Sequence, residues 1–248
     1  MPSYELEYPK QPFSTVNRYG IRASYALETI HHIINSAQLV HVSFAVPDSP
    51  FPMMLPMIGQ MGSFSRPSAD TGAVLDLYLH GYVSSRIMNL SRDPNSSSHV
   101  DGLVLALTPN SRSYNYRSAV LFGHATVVTG VEEKLYAMEL ITNGVVPDRW
   151  RNTRVPPNNG EMQSTSVLRV NISAGSAKIR SGMPNDDKVD TSNKELLSRV
   201  WTGVIPVRVE KVPSYLSDYV KDYSEDSKMT AMEAASKPTK GAKSKQDD

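Results

Sequence analysis

The stretch Leu75-Asp76-Leu77-Tyr78-Leu79-His80-Gly81-Tyr82-Val83-Ser84-Ser85-Arg86-Ile87-Met88-Asn89-Leu90 gathers an imidazole (His80), two hydroxyls (Ser84, Ser85) and a guanidinium (Arg86) within a few positions. Leu75, Leu77 and Leu79 alternate with Asp76, Tyr78 and His80, the period of a strand with one apolar side. Gly81 permits a tight turn, and Ser84 or Ser85 can cap a helix whose apolar edge is Ile87 and Leu90. A strand that turns into a helix here presents free backbone N–H groups beside hydroxyls and an arginine fork, which suits a phosphate monoester. The same pattern also suits an ordinary β-to-α connection, with Arg86 solvated and His80 closing a half-buried strand.

The elements around this stretch are mostly strands. Residues 1–22 are polar and contain proline, which predicts a lead-in across the surface. Residues 23–37 predict a helix, with Ala26, Leu27, Ile30, Ile33, Ile34 and Ala37 on one side. His31 and His32 are adjacent, whereas a helical metal pair needs i,i+4 spacing, so they read as structural or solvent-facing. Strands are expected over residues 39–46 and 53–61, the second with Pro56 at a sheet edge or bulge. The serine-rich interval 91–98 reads as a turn and is followed by strands over 99–107 and 116–129, the latter carrying Arg117, Ser118 and His124. A helix over 132–143 closes at Gly144, and strands follow over 166–172, 176–181 and 201–209. Lys178 and Arg180 share one side of the 176–181 strand. Residues 221–248 are polar and of mixed charge, the composition of a disordered tail, which leaves 23–220 as the folded domain. Many strands joined by short loops, with few helices, favour a barrel over a doubly wound sheet.

A chain of 248 residues with 40% hydrophobic and 21% charged residues is long enough and apolar enough for a substantial core. A net charge of +1 argues against a broad nucleic-acid footprint. With no cysteine, thiolate nucleophiles, thiolate metal sites and disulfides are excluded, so redox chemistry must come from a cofactor. No apolar run approaches a membrane span, and a cytoplasmic protein without membrane or nucleic-acid partners is expected. There is no G-x-G-x-x-G after a strand, no G-x-S-x-G and no H-E-x-x-H. His99 and Asp101 share one side of a strand, a pair that is more often structural than metal-ligating.

Five stretches, in this order, resemble the flavin-nucleotide-binding proteins related to pyridoxamine 5'-phosphate oxidase and the nitroimidazole-resistance proteins. They are Leu77-Tyr78-Leu79-His80-Gly81 with Arg86, His99-Val100-Asp101-Gly102-Leu103, Asn115-Tyr116-Arg117-Ser118-Ala119-Val120-Leu121-Phe122-Gly123, Ser176-Ala177-Lys178-Ile179-Arg180-Ser181-Gly182 and Val200-Trp201-Thr202-Gly203-Val204-Ile205-Pro206. The resemblance implies a mainly β fold with peripheral helices, an FMN-binding split β-barrel, with FMN held non-covalently at a homodimer interface. Relatives carry an apolar strand where this chain has only residues 91–98, which leaves room for a barrel lacking one family strand.

On the same resemblance, His80 is the catalytic candidate, and His80, Ser84, Ser85, Arg86, Arg117, Ser118 and Lys178 are the cofactor-binding candidates; no metal ligand is implied. Arg86 and Ser85 look like the phosphate clamp, and the strand through Arg117 and Ser118 looks like the wall beside the flavin. The implied function is an FMN-dependent oxidoreductase acting on a small acceptor such as a nitro compound or a quinone. The alternatives are a flavin- or haem-binding module without turnover, or a variant that has lost its cofactor.

Overall fold

Alternating apolar residues build the strands, and one amphipathic helix fills the space they curl around. The computed structural model describes residues 5–46, 49–82 and 95–209. Ser84, Ser85, Arg86, the helix expected after them and the 221–248 tail lie outside those residues.

The strands are β1 (Ala23–Ser24), β2 (Val40–Phe44), β3 (Met53–Met57), β4 (Gly59–Gly62), β5 (Asp76–Tyr82), β6 (Asn95–Leu105), β7 (Ser113–Val127), β8 (Thr165–Arg180) and β9 (Gly203–Pro206). The helices are α1 (Leu27–Ser36), α2 (Val131–Val145) and three short ones, α3 (Asn159–Ser164), α4 (Lys188–Thr191) and α5 (Lys194–Arg199). The nine strands of the described residues form one antiparallel sheet in the order β3-β2-β6-β7-β8-β5-β4, with β1 added to β8 and β9 to β6. The two ends of that path, β3 and β4, are separated in sequence by Ile58 alone. The sheet must therefore curl until its edges come together, yet β3 and β4 do not pair, and the barrel stays split. Pro56 lies on edge strand β3, where its missing N–H costs no ladder bond.

α1 packs against the inner side of this sheet. Leu27, Ile30, Ile33 and Ile34 join Val40, Val42 and Phe44 of β2, Leu77 and Leu79 of β5, Ala119 and Leu121 of β7, and Leu168, Val170 and Ala177 of β8 in one core. Burying each large aliphatic side chain contributes about 1.5–3 kcal/mol, so the helix stripe alone holds a large share of the fold's stability. A smaller core lies outside the sheet, where Ala137 and Ile141 of α2 cover Tyr78, Val128 and Val167. The lead-in is anchored more deeply than its polarity suggests: Tyr8 and Ser14 are buried, and Glu7 bridges to Ala26.

Several features depart from the sequence expectation. Gly81 does not turn but continues β5, paired with Ser166. The helix expected from residue 23 begins at Leu27, with Ala23 and Ser24 forming β1. The strand expected over 53–61 is two, β3 and β4, at opposite ends of the sheet path. Ser96, Ser97 and Ser98 are not a turn but the beginning of β6, paired to β7 and, through Ser96, to His41 of β2. Ladder bonds from neighbours on both sides make a strand from residues of little intrinsic preference. The cost is local, since Ser97 Oγ is buried and finds no partner among the described residues. The barrel's missing strand is thereby corrected in part, as that interval contributes to the sheet. The expected strands over 166–172 and 176–181 are one strand, β8, whose register against β7 shifts between Phe122 and Gly123.

Candidate functional site

The β7–β8 register shift decides which candidates face outward. Before it, Leu168 and Val170 point into the core; after it, Ala177 does, so one extra residue on β8 keeps the same side of the sheet apolar. The outer side consequently has two halves. Over the first, α2 lies on Val167 and Arg169, and Glu133 of that helix accepts hydrogen bonds from Tyr78 Oη (3.0 Å) and Arg169 Nη1 (2.9 Å). These bonds, with Tyr136 Oη accepting from Ser63 N at 2.9 Å, dock the helix.

The second half carries the polar row Ser98–Ser118–Lys178, three residues directly opposite one another across β6, β7 and β8. Ser118 and Lys178 are half-buried, and Ser118 Oγ donates to Lys178 O at 3.2 Å. The Lys178 ammonium has no carboxylate partner among the described residues. Ser98 was not singled out from the sequence, because it sits in the serine run that reads as a turn. The Ser98 hydroxyl and the unneutralised Lys178 ammonium on this strand wall are donors that fit an anionic, hydrogen-bond-accepting ligand, while the Ser118 proton is already given to Lys178 O.

Arg117 faces the other way. It shares the inner side with Ala119 and Leu121, and its Nε and Nη2 each donate to Asp101 at 2.9 Å. The bidentate contact lowers the Asp101 pKa, chiefly through the Arg117 hydrogen bond. His99 beside it points its Nε2 at Ile33 O, 3.1 Å away. Asp101, His99 and Arg117 therefore pin β6 and β7 to the end of α1. Of the strand read as a flavin wall, only alternate residues such as Ser118 and Val120 face outward.

His80 lies on the outer side of β5, one step along from Tyr78, and pairs with Val167. Its ring is exposed at the rim, but the surrounding chain desolvates it enough to lower its pKa below the ordinary histidine value. It is mostly neutral near pH 7 and better suited to a hydrogen bond or ring contact than to pairing with phosphate. Between Val167 and Lys178, β8 runs eleven residues, a contour of about 36 Å at 3.3 Å per residue. Within one chain, then, Ser118 and Lys178 come together, and His80 stands apart from them.

The lead-in closes on the open half of the sheet. Phe13 packs edge-on to Phe122, with ring centroids 5.0 Å apart, and the Tyr19 ring approaches Lys178. The pairing of Ala23 with Lys178 brings it there, a contact across most of the chain that no local motif announces.

The family model described as pyridoxamine 5'-phosphate oxidase matches residues 27–179, the span from α1 through β8. The flavocytochrome Anf3 from Azotobacter vinelandii has a similar structure, with a TM-score of 0.70 and 25% identity over 90% of this chain and 96% of that one. The FAD and haem binding protein from Mycobacterium smegmatis is similar in fold at a TM-score of 0.68 and 20% identity, covering 88% of this chain and 98% of that one. Among curated proteins, no sequence matches this chain. A nine-stranded split sheet around α1, with the matched span covering its core strands, means that the chain belongs to the pyridoxamine 5'-phosphate oxidase family.

Proposed function

We propose that the protein is an FMN-dependent oxidoreductase acting on a small acceptor such as a nitro compound or a quinone, with the flavin held between two copies of the chain. The observation that carries this reading is the outward row Ser98–Ser118–Lys178 on the half of the split sheet that α2 leaves uncovered, in a chain of this family. A bound flavin supplies reversible electron transfer that no side chain of this cysteine-free protein can. Lys178 and Ser118 contribute charge and a hydroxyl along one edge of the ligand. A twofold arrangement lets His80 of a second copy reach the ligand that Lys178 of the first one holds, which the separation along β8 prevents within one chain. His80, neutral, then supplies a hydrogen bond or ring contact to the ligand or its acceptor.

On the resemblance, Arg86 with Ser84 and Ser85 clamps the phosphate. Arg86→Ala should weaken FMN binding by about tenfold to a hundredfold, the loss of a charge-assisted contact of about 1.5–3 kcal/mol. Riboflavin, which lacks the phosphate, should bind both proteins alike. Parallel titrations check this: unchanged FMN affinity in the variant sinks the clamp, and equal loss of riboflavin shows damage to the fold.

The likeness to a flavocytochrome over 90% of the chain favours a second reading, in which haem is bound as well. His31 and His99 are committed to structural hydrogen bonds, while His80 is a neutral imidazole in the protonation state an iron ligand needs. A Soret band after reconstitution with haem, lost in His80→Ala, supports that reading; a flavin spectrum alone restricts the protein to the first.

A further inference from the structure

Three cations converge on one tyrosine beside the proposed flavin wall. The Arg22 guanidinium carbon lies 4.3 Å from the Tyr19 ring centroid, that of Arg18 lies 5.1 Å away, and the Lys178 Nζ lies 5.9 Å away. The sheet enforces this meeting: Arg22 immediately precedes β1, and Ala23 of β1 is registered opposite Lys178 of β8. Tyr19 itself is 51% exposed and sits in the left-handed region with φ 56°, a conformation that a bulky residue adopts only when its surroundings hold it there.

Each cation gains from the ring quadrupole, by about 0.5–1 kcal/mol at an exposed site. That attraction is offset by repulsion among charges crowded on the scale of the screening length, about 8 Å at physiological salt. Among the described residues no carboxylate pairs with Arg18, Arg22 or Lys178, although the protein pairs Arg117, Arg151, Arg154 and Arg169 elsewhere. The next residues on the same surface are hydroxyl-bearing, Ser118 and Ser98, of which Ser118 already donates to Lys178 O. Clustered, unneutralised cations beside hydroxyls are what a multiply charged oxyanion requires.

We propose that Arg18, Arg22 and Lys178, gathered around Tyr19, form a site for the pyrophosphate of a dinucleotide. The assignment rests on the flavin reading, in which Arg86 already serves a single phosphate; three further cations suit a second phosphorylated group. Two dinucleotides share this chemistry, flavin adenine dinucleotide as the cofactor itself and a reduced nicotinamide dinucleotide as its electron donor.

The test is calorimetric titration of the full chain and of the R18Q/R22Q and K178Q variants with inorganic pyrophosphate, riboflavin, FMN, FAD and NADPH, with melting temperatures as the fold control. R18Q/R22Q changes only exposed or half-buried residues of the lead-in and should melt as the parent does. Pyrophosphate should lose about tenfold or more in affinity in both variants, the effect of removing charge-assisted donors, while riboflavin is unaffected by R18Q/R22Q. A parallel loss for FAD makes the occupant the cofactor; a loss for NADPH with FAD unaltered makes it the donor. Pyrophosphate and both dinucleotides binding the variants as they bind the parent, or failing to bind the parent, overturns the site. Failure of the flavin reading looks different: riboflavin and FMN then do not bind even the parent.

Discussion

His31 is held neutral in the folded chain. Thr71 O, 2.8 Å from Nδ1, can only accept, so Nδ1 carries the proton and Nε2 accepts from Tyr8 Oη at 2.6 Å. Burial lowers the His31 pKa, and desolvation likewise lowers that of His80. A histidine whose folded pKa lies below its unfolded value leaves stability complete above about pH 6.5 and drains it as pH falls, because the unfolded chain takes the proton first. The low pKa of Asp101 acts only in the carboxylate range, well below this window. Denaturant unfolding should therefore show lower stability near pH 5.5 than near pH 7.5, and a flat or rising trend would contradict a neutral, buried His31. Tyr8→Phe removes the donor and strands Nε2 in the core, which should cost about 1–3 kcal/mol at neutral pH by the same measurement.

The bend between β7 and β8 depends on close backbone approach at Gly123. A Cβ placed there would stand 2.3 Å from Asn171 O, a backbone atom that cannot yield without opening the ladder, whereas a Cβ on Gly130 at the start of α2 would meet nothing within 4 Å. Gly123→Ala should destabilise by about 1–3 kcal/mol and Gly130→Ala by far less in parallel melts; equal effects would mean that the approach is not tight. The same bend explains why β8 reads in the sequence as two strands. Its extra residue reverses the alternation partway along, so the apolar period breaks although the strand does not. By contrast the apolar sides of β5 and α1 were legible, since Leu77 and Leu79, and Ile30, Ile33 and Ile34, keep one period. Their ends were not: Gly81, read as a turn, stays in β5 opposite Ser166, and Ala23 and Ser24, read as helix, pair with β8 as β1. β6 was legible only from His99 onward, because Ser96, Ser97 and Ser98 owe their strand to pairing partners and not to their own preference. Of the candidate residues, Ser118 and Lys178 were named on motif order and lie opposite each other across β7 and β8, while Arg117 pairs with Asp101, and Arg18 and Arg22 reach Lys178 only through the β1–β8 pairing.

At the scale of the whole molecule, the sheet is a barrel that stops short of closing, with one outer half covered by α2 and the other left to a thin lead-in. Val100 and Tyr114 stay 49% and 55% exposed there, apolar surface of the kind that the proposed pairing of two chains would cover. No helix of the described residues is long and apolar enough to cross a membrane. The central claim, a flavin held between two chains, is tested most directly by size-exclusion chromatography of the FMN-saturated protein with light scattering and flavin absorbance read on the same peak. The account predicts twice the chain mass with about one flavin per chain, as twofold symmetry requires; a peak of single-chain mass with all the flavin eluting separately would contradict it.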